Sequence, residues 1–184
     1  MEVDKQDMVV QIISGFRGSG KTTFLNQCIE QVKGKTAVIQ NDFGAQAVDR
    51  ENAEGSLIYE EIGEGCICCG MALEFEEKMR RIAMEDCPDR IFIEASGFGK
   101  LSDVVKVCTQ LKEKDHLEMM IGPNVTVVDI GMVEAYASGL GEFYVDQIEH
   151  ADVILVNNID SDDVELEEIE EVCSLPVPPI NCNE

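Results

Sequence analysis

Residues 15–22 read Gly-Phe-Arg-Gly-Ser-Gly-Lys-Thr, which satisfies the spacing G-x-x-x-x-G-K-[ST] in full. The chemistry that spacing serves is the capture of phosphate. Gly15, Gly18 and Gly20 let the backbone turn tightly and aim its N–H groups inward at phosphate oxygens, and the start of a helix adds the positive end of its dipole. Lys21 is expected to reach the β- and γ-phosphates, and the Thr22 hydroxyl to face Mg²⁺. With Ser19 and Thr23 these residues form the candidate phosphate-binding set. The context agrees: a buried-type run from Val9 to Ser14 enters the loop, and an amphipathic helix begins at the lysine.

A magnesium–nucleotide site also needs a carboxylate. Glu94 follows the apolar run Ile91-Phe92-Ile93 and precedes Ala95-Ser96-Gly97. An acid at such a strand end can hold Mg²⁺ through water, and the Gly97 N–H can sense the γ-phosphate. Asp42, in Asn41-Asp42-Phe43-Gly44, is a candidate switch residue and a further magnesium candidate. Lys21, Asp42 and Glu94 are the candidate catalytic residues. Further on, Asn157-Asn158-Ile159-Asp160 follows the run Val153–Val156. Asn157 and Asp160 could read a guanine there, the carboxylate accepting from the ring N–H and the exocyclic amine. An unpaired acceptor would then penalise the wrong base.

Three of the eight cysteines fall within Gly65-Cys66-Ile67-Cys68-Cys69-Gly70. In an extended loop Cys66 and Cys68 face the same way, and the flanking glycines let Cys69 fold back. Three thiolates suit Zn²⁺, leaving a fourth position for water, Glu64 or a partner's ligand, an arrangement fitted to handing metal on. A redox pair of neighbouring thiols, or plain loop cysteines, are the competing readings. Cys28 and Cys108 sit in apolar helical patterns and read as small core residues.

The sequence carries 14 basic and 37 acidic residues, a formal net charge of −23, so a nucleic-acid polyanion is not an expected partner. The acidity suits cations and basic surfaces, or serves solubility alone. No apolar run approaches the ~20 residues of a membrane span, and Met1–Asp7 lacks the apolar core of a secretory signal. A cytoplasmic location is expected, where thiols stay reduced.

The elements that must position these groups are legible as alternation. β-branched runs occur at Val9–Ile13, Ala37–Ile39, Arg90–Ile93, Val125–Val128 and Val153–Val156, with a further candidate strand over Leu57–Ile62. Between them, helical spacing joins Phe24, Leu25, Cys28, Ile29 and Val32, then Phe75, Met79 and Ile82, then Leu101, Val104, Val105, Cys108 and Leu111. The expected fold is α/β and doubly wound, a mainly parallel sheet flanked by helices, as one phosphate-loop domain over residues 1–184. The stretch Asn41–Gly70, rich in glycine, reads as a functional loop region. In the acidic tail, Asp162 and Glu165 resemble a capping box, with Val164, Ile169 and Val172 on one face of a solvated helix; metal binding there is the lesser alternative.

Taken together, these motifs resemble the CobW family of P-loop GTPases, relatives of the metallochaperones HypB and UreG. Gly15–Thr23 matches the family's glycine-rich loop. Asn41–Gly44 resembles its Asn-Glu-Phe-Gly switch, with Asp42 for glutamate. Glu64–Cys69 resembles its Asn-Gly-Cys-Ile-Cys-Cys signature, with Glu64 for asparagine. Glu94–Gly97 resembles its Glu-Thr/Ser-Ser/Thr-Gly element. Gln147, Ala151 and Asp152, then Asn157–Asp160, are similar to its Gln-x-x-x-Ala-Asp and Asn-Lys-x-Asp stretches. Asn158 replaces the lysine whose stem covers the base in the family, which leaves guanine and adenine both open. The second, C-terminal domain of many relatives is expected to be absent, as is any histidine-rich stretch.

The resemblance implies a magnesium-dependent protein that binds GTP and GDP and hydrolyses GTP slowly, stimulated by a partner or a metal. It would act as a metallochaperone for Zn²⁺, Co²⁺ or Ni²⁺ at Cys66, Cys68 and Cys69, serving a client metalloenzyme or cofactor-pathway protein. An activator that docks on a partner enzyme, with structural cysteines, is the alternative. A small-molecule kinase or ATPase fits less well, and self-association as a homodimer is open.

Overall fold

The computed structural model describes residues 8–41, 47–51, 55–63, 67, 70–158 and 179–181. Its centre is a parallel sheet of eight strands: β1 (Met8–Ser14), β2 (Lys35–Gln40), β3 (Ser56–Glu61), β4 (Arg90–Glu94), β5 (Met119–Ile121), β6 (Val125–Asp129), β7 (Val153–Asn157) and β8 (Pro179–Asn181). The order across the sheet is β3-β2-β4-β1-β6-β7-β8. β5 pairs with the first residues of β1 and β6 with its last two, Ile13 and Ser14. All the expected strands are present, including the one over Leu57–Ile62; β5 and β8 are additional.

The strands are nearly continuous in apolar residues because both faces are covered. Along β2, β4 and β7 the pleat sends Ala37, Ile39, Ile91, Ile93, Ile154 and Val156 to one face, and Val38, Phe92 and Leu155 to the other. The second face packs on α1 (Lys21–Gln31) through Leu25 and Ile29. The first carries α2 (Ala72–Arg81), α3 (Leu101–Asp115) and α4 (Val133–Glu149), seated by Phe75 and Met79, by Leu101, Val104 and Leu111, and by Tyr144 and Ile148. Helical spacing thus marks the buried stripe of each helix.

Cys108 lies fully inside this core, where burial pushes its thiol up to about 12; Cys28 is half-buried and pushed up to about 11, again by burial. Both stay protonated at neutral pH and serve as packing groups. No helix among the described residues is long and apolar enough to cross a membrane. The capping-box segment at 162–172 lies outside the described residues.

Chain direction fixes where chemistry can happen. From β1 the chain crosses to β2 and β3 on one side, returns to β4 beside β1, then builds the other side from β5 onward. The strand order reverses at β1, and the carboxyl ends of β2, β4, β1, β6 and β7 line one edge. Ligands of open α/β sheets bind at such an edge.

Candidate nucleotide site

The loop after β1 is the centre of that edge. Gly15 takes φ +133°, and a Cβ there would lie 2.2 Å from the Val127 carbonyl oxygen, so only glycine lets the loop rest on β6. The loop closes with the Ser19 N–H donating to the Phe16 carbonyl at 3.2 Å, and α1 begins at Lys21 with Gly20 as its N-cap. No side chain caps this helix, and its first turn holds no acid. Its amide donors and dipole therefore favour an anion from outside the helix.

Lys21 is 3% exposed, and its Nζ donates to the Phe16 carbonyl at 3.0 Å, curled against the loop it serves. Ser19 is also buried, and its hydroxyl has no hydrogen-bond partner among the described residues. A buried ammonium, an unsatisfied hydroxyl and uncapped amides in one loop form a site rich in donors. A phosphate group fits it. Thr23 is exposed on the first turn of α1.

Glu94, at the end of β4, is fully buried. Its Oε1 accepts from the Thr22 hydroxyl at 2.5 Å and its Oε2 from Gln40 Nε2 at 2.8 Å. A threonine hydroxyl and a carboxylate converging beside a phosphate loop offer oxygen donors of the kind Mg²⁺ prefers. The sheet order explains the encounter: β4 lies between β1, which leads to Thr22, and β2, which ends at Gln40.

Gly97 approaches the loop directly. A Cβ on it would lie 2.6 Å from the Arg17 nitrogen and 3.1 Å from its Cα, both backbone atoms that cannot swing aside. Gly97→Ala is therefore expected to displace the loop, costing about 1–3 kcal/mol of stability. The urea midpoint should fall together with nucleotide affinity, and an unchanged midpoint would contradict this packing.

Asn157, read from sequence as a base contact, reaches the phosphate loop. Its Nδ2 donates to the Ser19 carbonyl at 3.0 Å, while its Oδ1 accepts from the Asn158 N–H at 2.9 Å. Asp42, Asp160, Cys66, Cys68 and Cys69 lie outside the described residues. Their anchors are described. The Asn41 N–H donates to the Glu94 carbonyl at 2.9 Å, and its Nδ2 donates to the Gly63 carbonyl at 3.2 Å. Past the switch segment, Asn26 on α1 donates to the Ala47 carbonyl at 3.2 Å and accepts from the Asp49 N–H at 2.9 Å. Ile67, in the middle of the cysteine segment, is buried in the core on the α2 side. Among the described residues no group of three His, Cys, Asp or Glu side chains could hold a metal ion.

Sequence reasoning missed the support beneath the loop. Phe16 stacks on Tyr136 with ring centroids 4.1 Å apart, and the Tyr136 hydroxyl donates to the Arg17 carbonyl at 3.1 Å. Gln147, buried on α4, donates from Nε2 to the Gly99 carbonyl at 2.8 Å and accepts at its own carbonyl from the Thr126 hydroxyl at 2.7 Å. Asp146 accepts from the Ser102 N–H and hydroxyl. Asp152 accepts from the Asn124 N–H at 2.7 Å, holding the bend between β5 and β6. The Gln-x-x-x-Ala-Asp pattern thus clamps the turn after β4 and the entry to β6.

Known proteins place this arrangement. The chain is 29% identical over 191 residues to the zinc chaperone CobW of Pseudomonas aeruginosa, covering 85% of this chain and 50% of that protein. It is 30% identical over 201 residues to the zinc-regulated GTPase metalloprotein activator 1 of Dictyostelium discoideum, covering 84% and 40%. The chain thus spans about half the length, or less, of these curated relatives. The crystal structure of the Zn(II)-bound YjiA GTPase from E. coli superposes with a TM-score of 0.65 at 20% identity, over 95% of this chain and 57% of that one, a likeness of fold. Residues 9–175 match the family model of the CobW/HypB/UreG nucleotide-binding domain, and the chain belongs to that family.

Proposed function

We propose that this chain binds GTP with Mg²⁺ at the phosphate loop, hydrolyses it, and uses nucleotide state to control a metal site at Cys66, Cys68 and Cys69, as a metallochaperone or metal-dependent activation factor. The uncapped start of α1, Lys21 and the backbone of Gly15, Gly18 and Gly20 hold the phosphates. Thr22 and Glu94, with Asp42, supply oxygen ligands for Mg²⁺ and its waters. The bound magnesium nucleotide supplies a phosphoryl group whose negative charge the cation neutralises. Lys21 holds positive charge on the phosphate tail, Glu94 fixes the Thr22 hydroxyl, and Gly97 brings the turn after β4 against the loop. Turnover is proposed to be slow and completed by a partner or metal; the glutamine at the turn after β4, Gln147, spends its amide N–H on the Gly99 carbonyl.

The observation that carries the coupling is Asn41. One residue donates its main-chain N–H to the main-chain carbonyl of Glu94 and its side-chain amide to that of Gly63, at the start of the cysteine segment. A shift of the main chain at the end of β4, where Glu94 sits, is passed through Asn41 to the start of the segment bearing the thiols. The names of curated relatives, zinc chaperones and a zinc-regulated activator, support the same reading and favour zinc.

Competition with a chromophoric zinc chelator tests it. Zinc affinity should differ by about tenfold or more between the GDP- and GTP-bound forms, a coupling of about 1.4 kcal/mol. Serine at positions 66, 68 and 69 should remove tight zinc binding. Equal affinity in the nucleotide-free, GDP and GTP forms would defeat the coupling.

A further inference from the structure

A row of polar side chains runs from the Glu94 carboxylate to the protein surface across three strands. Parallel register pairs Gln40 with both Glu94 and Glu61, and Val38 with Tyr59. Residues paired or two apart share a face of the sheet, so Glu94, Gln40, Glu61 and Tyr59 all stand on the α1 side. Gln40 Nε2 donates to Glu94, and Gln40 Oε1 accepts from the Tyr59 hydroxyl at 2.5 Å. That hydroxyl also lies 2.7 Å from Glu61 Oε1. Arg50 covers the Tyr59 ring at 3.6 Å from its centroid and pairs with Glu61 at 3.6 Å.

The donors and acceptors do not all match. A phenol carries one proton, and here it faces two acceptors, so it can satisfy one at a time. The Gln40 amide has no such choice. Reversing it would turn Oε1 onto a buried carboxylate, acceptor against acceptor, so Glu94 fixes Nε2 inward and Oε1 toward Tyr59. When Tyr59 donates to Gln40, the whole row is satisfied. When it donates to Glu61, a mostly buried amide oxygen loses its donor and Gln40 loses the anchor that holds it on Glu94. Arg50 sets the balance: seated on Glu61, it lessens the pull of that carboxylate on the proton.

We propose that Gln40 and Tyr59 are positioning residues for Glu94, and that the exposed Arg50–Glu61 pair adjusts them by competing for the single Tyr59 proton. The proposal rests on the magnesium-nucleotide reading of the site and adds to it a surface point from which the carboxylate can be tuned. A ligand or partner that draws Arg50 from Glu61 would loosen Glu94.

The test uses the whole chain, with Tyr59→Phe and Arg50→Met. For Tyr59→Phe, the Mg²⁺ concentration giving half-maximal binding of a fluorescent GTP analogue should rise roughly threefold to tenfold. Affinity for the same analogue in EDTA should stay within about twofold. Arg50→Met should move the magnesium requirement the same way by a smaller factor. In nucleotide-free protein, the Gln40 side-chain amide resonances should shift in both Tyr59→Phe and Glu94→Gln. A purely structural tyrosine would lower both nucleotide affinities in parallel, or lower the melting temperature with the magnesium requirement unchanged; either result overturns the relay. Wild-type protein that needs no Mg²⁺ for nucleotide binding would defeat the nucleotide reading instead. The amide resonances then decide the relay separately: if they do not move in Tyr59→Phe, it is absent.

Discussion

Replacing Lys21 by alanine is expected to weaken GTP binding roughly 100-fold while leaving the fold as stable as before, or slightly more so. Hydrogen bonds to charged groups contribute about 1.5–3 kcal/mol each, and an ammonium on a phosphate tail makes more than one. Lys21 is the first residue of α1, where alanine is an excellent helix former, and Gly20 remains the N-cap. The ammonium is 3% exposed, so removing it relieves desolvation while giving up its contacts, the bond to the Phe16 carbonyl among them. Affinity and stability should therefore part company, which distinguishes a binding group from a structural one. Fluorescence titration beside thermal melting reads both. A matched fall in melting temperature and affinity would mean that Lys21 is chiefly part of the fold.

Glu94→Gln should act on turnover more than on binding. The substitution keeps the shape and leaves an oxygen for the Thr22 hydroxyl, but it removes a charge from a fully buried position. Single-turnover hydrolysis at saturating GTP should fall about 10²–10³-fold, the cost typical of losing one preorganised electrostatic contact in a transition state. Binding measured in EDTA should change little, because the carboxylate, which accepts from Thr22 and Gln40, is read as acting on the phosphates through Mg²⁺. Unchanged hydrolysis across the magnesium titration would remove Glu94 from the catalytic set.

The phosphate loop was legible because its pattern dictates backbone. Glycine at 15, 18 and 20 followed by lysine and threonine permits few conformations, and the flanking run and helix fix its place. β1, β2, β4, β6 and β7 were legible because each is sheltered on both faces and spells a largely apolar run. α4 was not. Gly139 and Gly141 interrupt its pattern, each costing about 1 kcal/mol relative to alanine, and the helix kinks at Leu140. Tertiary packing carries it, through Tyr136 on Phe16, a contact with no local signature, and Gln147 on Gly99, whose motif was visible but whose partner was not.

The candidate site divides along the same line. Lys21, Thr22, Glu94 and Gly97 announced themselves by motif, and the fold brings them together. Asn157 was found by position, and its bracing of the phosphate loop was not, because that depends on the loop passing within reach of the end of β7. Gln40 and Tyr59 gave only a faint sign: a polar residue closing the apolar run Ala37–Ile39, and a tyrosine in a half-exposed strand. Their meaning depends on β2 lying between β3 and β4, an order that sequence spacing does not encode.

Isothermal titration calorimetry of the folded wild-type chain with GTP and with ATP, in Mg²⁺, tests the central claim most directly. The expected result is saturable one-to-one heat with GTP that is lost or greatly reduced in Lys21→Ala. Absence of heat for both triphosphates, or identical isotherms for wild type and Lys21→Ala, would contradict a phosphate-binding role for the loop.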